Sequence, residues 1–139
     1  MKTLGGFTKL ALFLAAYLAA CLWTAKWANG VGAAVWPPDA VLLIALLVDR
    51  PNRWWWYLLA ALPVRWFALG SAQWLLWSAY INDALKALLS AYLLRRTVPD
   101  PPWLNTLRDF TAFVLIAALL SPVLSATLGA LSRALTGDP

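Results

Sequence analysis

"SAYINDALKALLSAYLLRR", residues 78–96, is the stretch on which the fold of this chain turns. Its leucines and alanines recur at helical spacing, and it ends on Arg95 and Arg96, the pattern of a helix leaving a membrane. Yet Asn82, Asp83 and Lys86 stand near its middle. Residues four apart share a helix face, so Ser78, Asn82, Lys86 and Ser90 form one ridge and Ala79, Asp83, Ala87 and Ala91 the next. Together they make a small, polar stripe, with Leu75, Leu85, Leu88, Leu89 and Leu93 mostly on the remaining surface. A charge at mid-bilayer costs about 2.5–3.5 kcal/mol on insertion scales, so the stripe faces protein or water and not lipid. The i, i+3 spacing lets Asp83 and Lys86 neutralise each other. Arg65, on the preceding apolar run, is a second candidate partner for Asp83. The trio reads either as an ion pair that fixes helix packing or as a polar lining for a ligand, a proton or a signal.

The rest of the chain sets that helix in a membrane. Of its 139 residues 63% are hydrophobic and 12% charged, about half the charge of a soluble domain. The net charge of +5 does not point to nucleic acid, because the basic residues form no cluster interleaved with stacking aromatics. They flank apolar runs instead, where they act as topology signals.

Five such runs are legible. "FTKLALFLAAYLAACLWTAKWA", about residues 7–28, is long enough to cross roughly 30 Å of hydrocarbon. "LAAC" (Leu18 to Cys21) matches a lipoprotein cleavage box, but the apolar "LWTAKW" that follows is no polar tether, so a retained span is expected. Gly30, Gly32, Pro37 and Pro38 then break the chain before a second run through Val48, which needs an irregular start near Ala33 to gain length. Pro38 suits a first helical turn, and Asp39 complements the positive end of the helix dipole. The basic turn "DRPNR" leads to a third run, about Trp54 to Leu69, with Pro63 and Arg65 inside it. "GSAQ" turns into the fourth run, about Trp74 to Leu94. "RRTVPDPPWLNTLRD" reads as a surface loop. The fifth run covers about Phe110 to Leu131, with a kink expected at Pro122.

The expected architecture is all-α, a single polytopic bundle of about five crossing helices. With the N-terminus in the cytoplasm, Lys2, Lys9, Arg50, Arg53, Arg95, Arg96 and Arg108 fall inside, while Lys26 and Arg133 fall outside, which predicts an external C-terminus. Tryptophans agree: Trp54, Trp55, Trp56 and Trp103 collect at the inner interface and Trp23, Trp27, Trp36, Trp74 and Trp77 at the outer. Trp66 fits the outer belt or a helix contact.

Catalytic chemistry finds no foothold. Without histidine there is no Ser–His pair and no histidine ligand for haem or pigment, and the lone Cys21 makes no metal site. No phosphate-cradling glycine loop or carboxylate pair is present. Lys26 and Asp39 are expected to pair at the outer surface. Neither a cofactor nor a metal is expected; a bound lipid is compatible with such a chain. Ala117, Ser121, Ser125 and Gly129 form a small-residue ridge that lets another helix approach closely, and Ala15, Ala16, Ala19 and Ala20 do the same on the first run.

"VWPPDAVLLIALLVDRPNRWWWYLLAALPVRWFALG", then "INDALKALLSAYLLRR", "LRD" and "SPVLSATLG", in this order across about residues 30–131, resemble the type-one membrane-associated sensor (MASE) domain family. The resemblance implies a multi-helix membrane input domain of the kind found in bacterial histidine kinases and cyclic-di-GMP enzymes. Two departures stand out. Asp39 follows the prolines where the family has small residues, and Lys86 occupies a position where the family tends to be acidic. The family domain continues for about three more helices into a cytoplasmic output, whereas this chain is expected to end outside.

Two functions follow as expectations. The first is a non-catalytic accessory subunit of a larger membrane complex, photosynthetic or respiratory, packed against other integral subunits in the bacterial inner membrane. The alternative is a truncated sensory input module that detects a small ligand or membrane state through Asn82, Asp83, Lys86 and Arg65. Neither involves nucleic acid.

Overall fold

The computed structural model describes residues 5–27, 37–69, 73–98 and 105–137. Expectations for Lys2, Gly30, Gly32, Trp36 and Trp103, for the turn at 70–72, and for the side chains of Trp74 and Leu75 lie outside them. All elements among the described residues are helical: α1 (Gly6–Trp27), α2 (Pro37–Val48), a 3₁₀ turn (Pro51–Arg53), α3 (Trp54–Leu69), α4 (Gln73–Thr97), α5 (Leu107–Phe113), a π-helical segment (Val114–Leu120) and α6 (Ser121–Thr136).

Two of these stretches are long and apolar enough to cross a membrane, Gly6–Trp27 with 22 residues and the continuous Leu107–Leu135 with 29. At 1.5 Å per residue each exceeds about 30 Å of hydrocarbon. The 12-residue α2 starts at Pro37, with Pro37 and Pro38 in the first turn, where a missing N–H is harmless, and Asp39 beside them. α3 runs through Pro63 without ending.

The chain divides into two compact units, Met1–Leu76 and Trp77–Pro139. In the first, each helix turns one four-residue ridge inward. α1 buries Phe13, Tyr17, Cys21 and Thr24, and α2 buries Pro38, Leu42 and Leu46. α3 adds Tyr57, Ala61 and Arg65. The rings of Phe13 and Tyr57 meet edge to face at 5.1 Å. Ala15, Ala16 and Ala19, expected as a packing face of α1, are exposed instead. The aromatic ridge on the other side buries more area and wins the contact.

The second unit contains most of α4 and the long α5–π–α6 helix. α4 turns Tyr80, Ala87, Ser90, Ala91 and Leu94 inward. Helix claims part of the expected 95–109 surface loop: α4 continues through Arg95 and Arg96 to Thr97, and α5 starts at Leu107. Local side-chain bonds explain both ends. Thr97 Oγ1 donates to the Leu93 carbonyl at 3.0 Å, and Thr106 caps α5 by accepting from the Asp109 N–H at 3.2 Å. At the far end Gly137 closes α6 in the left-handed conformation, φ 70°, its N–H donating to the Arg133 carbonyl.

Candidate functional site

In the second unit the polar stripe of α4 meets the small-residue side of α6. Asn82 donates through Nδ2 to the Ser125 carbonyl at 3.2 Å. The same Nδ2 would stand 3.7 Å from a Cβ placed on Gly129, so the amide lies over the glycine backbone. Two turns along, the Ser90 and Ser121 hydroxyls share a buried hydrogen bond. As residue numbers rise along α4 they fall along α6, so the two run antiparallel. Lys86 lies one turn from each contact on α4, and its ammonium is 3.7 Å from the Asp83 carboxylate. Both side chains are mostly covered.

Two features of this seam bear on chemistry. Asn82 Oδ1 is buried and accepts no hydrogen bond from the described residues, although buried acceptors ordinarily find a donor. The orientation of the amide follows from geometry, because only its nitrogen can donate to the Ser125 carbonyl. The second feature is the π segment, Val114–Leu120, directly before Ser121 and Pro122. Pro122 has no N–H, and its ring presses on the carbonyl one turn earlier. Widening that turn relieves the clash, with the Ser121 N–H reaching back five residues to the Ile116 carbonyl. The expected kink is thus an insertion that resets the helix face. Of the ridge Ala117, Ser121, Ser125 and Gly129, the alanine lies in the π segment and the other three follow it in α6.

The first unit holds a charged cluster at the end shared by the start of α1, the end of α2 and the start of α3. Asp49 is 4% exposed. It accepts from the Tyr57 hydroxyl at 2.7 Å and from the Arg50 N–H at 2.8 Å, with the Lys9 ammonium 3.9 Å away. Burial pushes its carboxyl up, but the two hydrogen bonds and the positive charges of Lys9 and Arg53 outweigh burial and hold it below the ordinary 3.8. Trp54 Nε1 donates to the Leu46 carbonyl at 2.7 Å and pins the turn between α2 and α3.

The residues singled out by sequence are divided between the two units. Asp83 and Lys86 are within ion-pair distance, with Asn82 one position before the acid. Arg65, 4% exposed, belongs to the core of the first unit, where it and Asp39 both lie near Cys21. Lys26 is exposed in the last turn of α1, and Asp39 stands in the first turn of α2. The Asp49, Tyr57 and Lys9 cluster escaped sequence reasoning, which took Lys9 and "DRPNR" only as topology signals. The available clue was Asp49 itself, an acid in an otherwise basic turn, eight residues before a tyrosine.

Comparison with known proteins adds one positive finding. No curated protein and no solved structure is matched. The model of the MASE1 family, membrane-associated sensor domains, matches residues 8–138. An all-helical chain with a polar seam between apolar helices, matched over nearly its whole length, belongs to the MASE1 family.

Proposed function

We propose that this protein is a membrane-embedded sensory input module of a bacterial signal-transduction protein, and that the seam between α4 and α6 is its responsive element. The observation that carries the reading is the buried, unmatched Oδ1 of Asn82, beside the Asp83–Lys86 pair and two turns from the π segment. An acceptor left without a donor away from water costs about 1–3 kcal/mol, which a ligand group, a proton donor or a bound water would recover. A π segment supplies the moving part, since closing it to α geometry would change which face of α6 meets α4. Family membership supports the class of function.

The module works by binding and not by catalysis, in the inner membrane. Five segments cross: α1, α2, α3, α4 and the α5–π–α6 helix, with the N-terminus cytoplasmic and the C-terminus outside. The flanking basic residues support this orientation, although α2 must be extended by neighbouring residues to cross. The other reading, an accessory subunit of a larger complex, rests on the exposed apolar face of α6, including Val123, Leu128, Leu131 and Leu135. Lipid satisfies that face equally well.

Thermal unfolding of the full chain in lipid nanodiscs, screened against a panel of small polar metabolites, tests the proposal. The expected result is a stabilising ligand whose effect is lost in Asn82→Ala and in Lys86→Ala while both variants remain folded. The opposing result concerns the pair: each of Asp83→Ala and Lys86→Ala unfolds the chain, the double change restores it, and no ligand response differs. The pair would then be packing alone.

A further inference from the structure

Arg53 ends the 3₁₀ turn at the charged end of the first unit, and its guanidinium lies directly on the backbone of Gly6. A Cβ built on Gly6 would meet Arg53 Nη1, so a larger residue there would make the end of this flexible side chain move aside. Unlike Asp49, whose oxygens are taken by Tyr57, Arg50 and Lys9, Arg53 is exposed. Among the described residues its guanidinium has no hydrogen-bond or ion-pair partner. It borders an open pocket of about 430 Å³ whose lining also includes Asp49, with Phe7, Leu10, Trp56 and Tyr57 as apolar and aromatic walls. Phe7 is 85% exposed and Trp56 64%.

We infer that this pocket binds an anionic phospholipid, with its phosphodiester on the Arg53 guanidinium and its glycerol and upper acyl chain over Phe7, Leu10 and Trp56. A guanidinium offers a planar fork of donors that suits phosphate oxygens. Among the described residues the local charge favours an anion: Lys9, Arg50 and Arg53 stand against Asp49, which lines the pocket but whose carboxylate is held by its own donors. A basic cluster at the edge of a membrane is drawn to an anionic leaflet. The walls select a lipid over a free anion, because inorganic phosphate has nothing to place against Phe7 and Trp56. Tryptophan is a side chain that seats at the headgroup boundary of a bilayer. The site is built from the first unit alone and does not depend on the sensory reading.

Native mass spectrometry of the full chain in mild detergent, offered equal amounts of phosphatidylglycerol and phosphatidylcholine of the same acyl composition, tests the site. The wild-type chain should retain phosphatidylglycerol about tenfold over phosphatidylcholine, and Arg53→Gln should bring the ratio to within about twofold. Arg53→Lys, which keeps the charge but removes the planar fork, should also lower the ratio, whereas Arg133→Gln should leave it unchanged. Should Arg53→Gln fail to fold, Arg53→Lys decides the question alone. Equal retention of the two lipids by the wild type, or a preference that survives the changes at Arg53, would overturn the assignment. So would displacement of the lipid by millimolar inorganic phosphate, which would make this a free-anion site.

Discussion

Removing the Tyr57 hydroxyl leaves the Asp49 carboxylate one donor short in a place where it is 4% exposed. Tyr57→Phe is therefore expected to destabilise the protein by about 1–3 kcal/mol, read by denaturant unfolding in mild detergent. The same carboxylate sets a pH dependence. Its folded value lies below the ordinary 3.8, so between the two values the unfolded chain binds more protons and stability rises with pH. The contribution is complete above the ordinary value and lost as pH falls through the folded one. Unfolding measured from about pH 6 down to about pH 3 should show this acid-side loss in the wild type, and Asp49→Asn should lack it. A variant with an unchanged acid limb would remove Asp49 as its source.

Between helices, the contact that positions the seam is Asn82 over Gly129. A Cβ at Gly129 meets Asn82 Nδ2 at an ordinary 3.7 Å. Gly129→Ala should thus be neutral or stabilising by up to about 1 kcal/mol through its better helix propensity. Gly129→Leu should cost about 1–3 kcal/mol, because the larger side chain drives α4 away and breaks the bond to the Ser125 carbonyl. Equal unfolding midpoints for the two variants would show that α4 does not sit on α6 at this point. At this scale much was legible in the sequence. Four-residue spacing identified the Asn82, Lys86, Ser90 ridge and the Ser121, Ser125, Gly129 ridge as polar or small faces in apolar helices. Their mutual register was not legible, because small-residue ridges fit one another at several offsets. Proline at 122 announced an irregularity, but its form as a π segment depends on how the turn relaxes, which spacing alone does not fix. On α1 the spacing of alanines misled, since the Phe13, Tyr17, Cys21 ridge has the same period and more area to bury.

At the scale of the whole molecule, composition fixed the solvent and the fold class, and the family match gives the kind of domain. The charged cluster at Asp49 was hidden because its members come from three elements, and only folding brings Lys9, Asp49 and Tyr57 to one end. The proposed topology is open to direct measurement. In a Cys21→Ala background, Arg133→Cys should react with a membrane-impermeant maleimide added outside, and Arg53→Cys only after the membrane is opened. Labelling of both from one side would rule out an odd number of crossings between them. The central claim, a sensory module whose seam takes up a small group, is tested most directly by native mass spectrometry of the full chain released gently from its own membranes. The account predicts a chain free of foreign subunits that carries a small adduct, lost in Asn82→Ala and in Lys86→Ala with the fold retained. A stable stoichiometric complex with other membrane proteins, with no adduct and with the partners shed by the same two variants, would contradict it.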